Sequence, residues 1–108
     1  MPHRSMSPEQ LDLIADRFRV LGESTRLQIL SALRAGEQNV TALVAATGFS
    51  QANLSKHLQL LLRVGYVERR KDGLSAYYRL ADRDVFRLCD IMCGRVEKEM
   101  KAQRKVWA

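Results

Sequence analysis

The sequence of 108 residues is poor in the side chains that most catalytic and metal sites require. It has only two histidines, His3 and His57, and two cysteines, Cys89 and Cys93. No nucleophile has a histidine and a carboxylate set to orient it, and there is no glycine-rich phosphate loop or paired carboxylates in an apolar pocket. These absences predict that the chain is not an enzyme.

Disulfides and long apolar runs are scarce as well. Two cysteines four residues apart do not make an extracellular disulfide framework, and they agree with a reducing compartment. No apolar run approaches the roughly 20 residues of a membrane-spanning helix. A secretion signal has an apolar stretch after its first charges, and the first ten residues of this chain have none. We therefore expect a cytoplasmic protein with no membrane partner.

Acidic residues are few in one part of the chain. The net charge is +6, and residues 50–80 hold six basic and two acidic side chains. By contrast, residues 1–49 hold five of each, and residues 81–108 hold seven basic and five acidic side chains. A solvated basic face is the common explanation of such an excess. A compact basic segment around a polar helix favours a nucleic acid as the partner.

That polar helix is predicted from Ser50, which can cap its start, to Val64, just before a terminating Gly65. Four leucines recur at helical spacing and would face the core: Leu54, Leu58, Leu61 and Leu62. Four polar side chains stand four residues apart on another face: Gln51, Ser55, Gln59 and Arg63. The helix has no acidic residue, and its short polar side chains suit the major groove of DNA.

Helical spacing also predicts three earlier helices. One begins at Ser7 and Pro8, a second opens at Ser24, and a short third follows Asn39 or Val40 and ends at Gly48. A short helix, a glycine-containing turn and a polar helix form a helix-turn-helix over residues 40–64. Many small helical bundles contain such a pair without binding DNA, so the pattern alone leaves both interpretations open.

A β-hairpin is predicted over residues 66–80. Two β-prone runs flank an Asp72-Gly73 turn signal, and four basic side chains lie near the tip or on the return strand: Arg69, Arg70, Lys71 and Arg79. Solubilising charges on an edge hairpin would explain any one of them. All four beside the polar helix predict a basic wing.

The two ends of the chain are predicted to be dimerisation helices, at residues 7–21 and 82–106, with residues 1–6 as a disordered tail. Asp82 can cap the last helix. Its apolar stripe includes Val85, Leu88, Cys89, Met92, Val96 and Met100. The predicted fold is a single domain over residues 1–108, mainly α with a small β-hairpin, which is a winged helix-turn-helix dimerising through its terminal helices.

From about Asp16 to Leu80 the chain resembles the ArsR/SmtB family of bacterial winged-helix repressors. LGESTRLQILSAL resembles the family's second helix, and SQANLSKHLQLLLRVGYVERRKDGLSAYYRL resembles its recognition helix and wing. The resemblance implies a homodimer that binds a palindromic operator in double-stranded DNA and is released by an inducer. It also implies a set of DNA-binding residues: Ser50, Gln51, Asn53, Ser55, Lys56 and His57 in the helix, and Arg69, Arg70 and Lys71 in the wing.

The family's two commonest metal sites are absent from the sequence. Its thiolate site would need cysteines near residues 41–44, and its zinc site would need Asp and His pairs on the last helix. His57 falls in the recognition helix, where a phosphate contact or a packing role is favoured over metal binding. No cofactor is certain on this basis.

Cys89 and Cys93 are the candidate inducer site. Four residues apart on one helical face, they would gather four thiols near the two-fold axis of a dimer. Thiolates suit trivalent arsenic, antimony or another thiophilic ion, and oxidation is the other chemistry open to them. Packing explains both cysteines equally well. We therefore predict a repressor released by a thiol-reactive inducer; the alternatives are a regulator without a metal inducer, or a helical module that binds RNA or protein.

Overall fold

The computed structural model describes residues 5–107, with side chains as far as Arg104. Of the predicted tail, residues 1–4 lie outside the described residues. The elements in chain order are α1 (Pro8–Leu21), α2 (Ser24–Leu33), β1 (Gln38–Asn39), α3 (Val40–Thr47), α4 (Gln51–Arg63), β2 (Val67–Asp72), β3 (Ser75–Leu80) and α5 (Arg83–Trp107). Within residues 5–107, no helix has the length and apolar character to cross a membrane.

The helices begin where the capping residues predict. At α1, Gln10 N donates to Ser7 Oγ at 3.2 Å and Ser7 N donates to Gln10 Oε1 at 2.8 Å, which makes a capping box. At α4, Asn53 N donates to Ser50 Oγ at 3.1 Å. Asp82 accepts from a backbone N–H in the first turn of α5. Each cap satisfies a donor that has no partner inside its helix.

The core lies between α2, α3, α4 and the sheet. Leu54, Leu58 and Leu61 of α4 are completely buried, and Leu62 is half-buried, which confirms the predicted core face. The other buried core residues are Val20, Ile29, Leu30, Leu33, Leu43, Tyr66, Val67, Tyr78 and Val85. Burial of each of these leucines contributes about 1.5–3 kcal/mol to the free energy of folding. This burial fixes the rotation of α4 about its axis, and therefore which side chains of α4 face outward.

The sheet has three strands in the order β1-β3-β2, all antiparallel. The predicted two-stranded hairpin is therefore incomplete, because the two-residue β1 pairs with β3 and leads directly into α3. The ladder runs as far as Asp72 opposite Ser75, and Gly73, with φ of +62°, makes the reversal between them.

The two terminal helices leave large apolar faces uncovered. In α1 the exposed apolar residues are Leu11, Leu13, Ile14 and Phe18. In α5 they are Leu88, Ile91, Met92, Val96 and Met100. The start of α5 is attached to the body: Val85 is buried, Arg34 pairs with Asp90, and the Arg34 guanidinium lies 5.0 Å from the Phe86 ring centroid. The prediction that Val85 belongs to the dimerisation stripe of the last helix is therefore wrong, since its side chain completes the core.

Candidate nucleic-acid interface

An open groove of about 350 Å³ lies between the outer face of α4 and the β2–β3 wing. We call it the α4–wing groove. Its lining is mostly uncharged and includes no carboxylate: Asn39, Val40, Thr41, Gln51, Ser55, Gln59, Arg69, Leu74, Ser75, Ala76 and Tyr78. A concave, carboxylate-free surface with an arginine at its wing side is suited to a polyanion.

Predicted site residues of α4 occupy different positions around the helix. Gln51 and Ser55 are exposed and line the groove. Ser50 is exposed, and its hydroxyl is engaged by the backbone at the start of α4. Asn53 is half-buried, whereas Lys56 is exposed. Gln51 and Ser55 are thus the two predicted residues of α4 that line the groove.

His57 lies away from the groove. Side chains two residues apart in an α-helix project about 200° apart, so His57 and Ser55 occupy nearly opposite sides of α4. The His57 side chain is 11% exposed, and its Nδ1 lies 3.3 Å from Arg26 Nη1 and 4.0 Å from Glu23 Oε2. This position favours the packing interpretation of His57 over the phosphate contact.

Two arginines of the wing are paired with acids. Arg70 donates to both carboxylate oxygens of Glu37, with Nη2 2.6 Å from Oε1, and its guanidinium lies 4.8 Å from the Tyr77 ring centroid. The hydrogen bond from Arg70 lowers the pKa of Glu37 and raises that of Arg70. Across the strands, Arg79 Nε donates to Glu68 at 2.8 Å. Arg70 and Arg79, which lie on the face of the wing that points away from the groove, are therefore each paired with a carboxylate.

Arg69 and Lys71 belong to the other face of the wing, because successive side chains of a strand alternate in direction. Arg69 is opposite the buried Tyr78 in the ladder and lines the α4–wing groove. Within residues 5–104, neither Arg69 nor Lys71 has an acidic oxygen within 4.0 Å. Their charges are available to an external anion.

The predicted set of DNA-binding residues contains Gln51, Ser55 and Arg69 of this lining and omits the other eight residues, of which three are informative. Gln59 stands one turn beyond Ser55, and the four-residue spacing contained that signal. Thr41 is exposed in the first turn of α3 and became part of the groove only through tertiary packing. Leu74, at the wing tip, is completely exposed, and no periodicity identifies a residue in a two-residue turn.

The two cysteines differ in environment. Cys89 is half-buried against the core, and burial raises the pKa of its thiol. Cys93 is exposed, and its Sγ donates to Glu97 Oε1 at 3.6 Å. In the part of the chain that the structure describes, no three His, Cys, Asp or Glu side chains come together as a metal site. One chain thus offers a thiophilic ion two thiols at most.

Comparison with known proteins agrees with this geometry. The family model described as bacterial regulatory protein, arsR family, matches residues 23–69. HTH-type transcriptional regulator Rv0324 of Mycobacterium tuberculosis is 44% identical over 78 residues, which is 72% of this chain and 34% of that protein. The chain thus spans about a third of the length of that relative. The arsenical resistance operon repressor of Staphylococcus aureus is 37% identical over 75 residues, or 69% of each chain.

A solved structure extends the likeness over most of the chain. It is the NMR structure of the homodimeric winged helix-turn-helix DNA-binding domain of Mb0332 from Mycobacterium bovis, described as a possible ArsR-family transcriptional regulator. The two chains are 36% identical with a TM-score of 0.76, over 91% of this chain and 92% of the other.

The helices, the three-stranded sheet and the groove define a winged helix-turn-helix protein, which confirms the predicted fold class. The chain belongs to the arsR family of bacterial regulatory proteins, as its resemblance to the ArsR/SmtB repressors implied. Because the family consists of transcriptional regulators, the prediction that the chain is not an enzyme is confirmed as well.

Proposed function

We propose that this protein is a sequence-specific DNA-binding transcriptional repressor that acts in the cytoplasm. The α4–wing groove carries the proposal. It presents exposed polar side chains on one helix, a carboxylate-free lining, and wing cations without acidic partners among residues 5–104. Sequence is read by hydrogen bonds to base edges, whereas phosphate contacts fix the register of the protein on the duplex. The α4 side of the groove is suited to reading bases, and the wing side is suited to contacting phosphates.

In this proposal α4 enters the major groove. Gln51 and Ser55 contact base edges, and each well-formed pair of hydrogen bonds discriminates by about 1–3 kcal/mol against the wrong base. Arg69 and Lys71 contact phosphates. Ser50, Asn53 and Lys56 lie at the N-terminal end of α4, where free backbone N–H groups favour an anion. They are therefore assigned to contacts with the phosphate backbone of DNA.

The proposed assembly is a homodimer formed through α1 and α5. The uncovered faces of these helices include Leu13 and Phe18 of α1 and Ile91 and Met92 of α5, all more than half exposed. Several large apolar side chains exposed on one helix favour a protein interface over contact with water. A two-fold dimer presents two α4 helices to one duplex, which calls for a palindromic operator with half-sites about one helical turn apart. The homodimeric M. bovis domain supports this arrangement.

Selection from a random duplex pool, followed by footprinting, tests the function. The expected result is one enriched sequence with two inverted half-sites, protected by wild-type protein. Ile91→Glu places a charge in the proposed interface, so this variant is expected to sediment as a monomer and to lose the footprint. The proposal would be contradicted if the selection enriched no sequence, or if single-stranded RNA displaced the duplex at equal concentration.

We further propose Cys89 and Cys93 as the inducer site, for trivalent arsenic, antimony or another thiophilic ion, or for an oxidant. The arsenical resistance repressor of S. aureus supports this ligand class. One chain supplies two thiols, and two paired α5 helices would supply four. Burial raises the pKa of Cys89, so binding must displace its proton and is expected to strengthen as pH rises.

Operator release distinguishes this inducer site from cysteines that only pack. Arsenite, antimonite, cadmium and a peroxide are each titrated into the complex of the selected duplex with wild type, Cys89→Ser or Cys93→Ser. At least one agent is expected to release wild type and to leave both variants bound. If none releases wild type, or if the variants are released as readily, both cysteines are packing residues.

A further inference from the structure

The guanidinium of Arg26 caps the end of α1. Arg26 lies in α2, and its Nε donates to the carbonyl oxygen of Val20 at 2.6 Å, while its Nη2 donates to that of Arg19 at 3.2 Å. Carbonyls of a helix's last turn have no partner inside the helix, and a cation there also opposes the helix dipole. Arg26 therefore fastens the C-terminal end of α1 to α2.

The same guanidinium reaches the recognition helix. Arg26 Nη1 lies 3.3 Å from His57 Nδ1 in α4. An arginine side chain has donors and no acceptor, so in a hydrogen bond between these two nitrogens His57 Nδ1 is the acceptor and the ring proton is on Nε2. One half-buried side chain of α2 thus contacts both α1 and α4.

The contact lies on the inner side of α4, nearly opposite the groove face that carries Ser55. We propose that Arg26 is a positioning residue that sets the orientation of α4 relative to α1 through His57. The inference rests on the proposed function. Because α1 carries part of the proposed dimer interface, this contact would fix how the two α4 helices of a dimer are spaced on the operator.

A second contact between α1 and α4 provides a matched control. Arg63 Nη2 lies 3.8 Å from Asp16 Oδ1, and the Arg63 side chain is 57% exposed. Although Arg63 belongs to the predicted polar face of the helix, it is not among the residues that line the α4–wing groove. Exposed ion pairs of this kind contribute little. Arg63→Lys therefore changes an arginine that joins the same two helices and leaves the half-buried contact of Arg26 with His57 unchanged.

The experiment measures affinity for the duplex selected by wild type and for a shuffled duplex of equal composition. Arg26→Lys keeps the charge, but its single ammonium cannot span all three acceptors, and His57→Leu removes the acceptor. Both variants are expected to bind the selected duplex about tenfold more weakly and the shuffled duplex within about twofold of wild type. His57→Gln, whose Oε1 can accept from Arg26, and Arg63→Lys are expected to resemble wild type.

The double variant Arg26→Lys with His57→Leu is expected to be no weaker than either single variant, because both remove the same contact. If Arg26→Lys does not fold, His57→Leu against His57→Gln makes the same test. Wild-type selectivity retained in His57→Leu, or equal loss on both duplexes, would overturn the positioning role alone. A wild-type protein that cannot distinguish the two duplexes would overturn the proposed function and this inference with it.

Discussion

Both α4 and the wing have one face toward the groove and one face away from it. Polar and basic side chains occur on both faces, but they differ in whether they have partners within the fold. On the groove side, Ser55 is exposed, and Arg69 has no acidic partner within residues 5–104. On the opposite side, His57 accepts from Arg26 and Arg70 is paired with Glu37. Basic character along the chain therefore does not distinguish these side chains, whereas the pairing of each charge in the fold does.

Gln51→Ala is the variant with the largest expected effect on the groove face. It removes an exposed side chain that we assign to base reading, so it should cost about 1–3 kcal/mol on the selected duplex and little on the shuffled one. Gln28→Ala is the matched control, since Gln28 is an exposed glutamine of α2 that donates to Ser24. Titration of both duplexes measures the difference. Equal loss of affinity on both from Gln51→Ala would remove its base-reading role.

Two double variants compare the faces of the wing. Arg69→Ala with Lys71→Ala should flatten the dependence of log K on log salt by about 0.9 for each phosphate that is no longer neutralised, and should weaken binding by roughly thirtyfold near physiological salt. Arg70→Ala with Arg79→Ala should leave the slope unchanged, because both arginines are paired with acids. Binding isotherms at several salt concentrations measure both. Identical slopes for the two double variants would show that pairing does not decide which arginines bind.

A third and smaller effect concerns the pair of Arg70 with Glu37, on the face of the wing opposite the groove. The hydrogen bond from Arg70 holds the pKa of Glu37 below its ordinary value of 4.5. Because the folded-state pKa is lowered, the stabilisation is present above that ordinary value and is lost as pH falls through the lowered pKa. The thermal unfolding temperature of wild type should therefore decline more steeply in acid than that of Glu37→Gln. Parallel curves would mean that the pair adds no measurable stability.

The recognition helix could be predicted from sequence almost to its ends. Leucines at helical spacing, a serine cap and Gly65 predicted residues 50–64, and α4 spans Gln51–Arg63. The reason is that this helix is strongly amphipathic, so one local pattern determines both its length and its buried face. The hairpin was predicted for a similar reason, since Asp72-Gly73 between two β-prone runs is a local signal.

Other features depend on contacts between distant residues. The two-residue β1 is too short to have a period, and it exists because β3 pairs with it. Arg70 meets Glu37 across 33 positions of sequence, and His57 meets Arg26 across 31. No local pattern predicts such partners. The sequence thus predicted the helix and hairpin that form the candidate site, but not which of their polar side chains already have partners in the fold.

Photo-crosslinking from the two faces tests the central claim most directly. In a protein carrying Cys89→Ser and Cys93→Ser, a thiol-reactive crosslinker is attached through either Gln59→Cys on the groove face or Arg79→Cys on the opposite face of the wing. With the selected duplex bound, irradiation should join the DNA to position 59 and leave position 79 free. Crosslinking through position 79 with none through position 59 would contradict the assignment of the α4–wing groove as the DNA-binding surface.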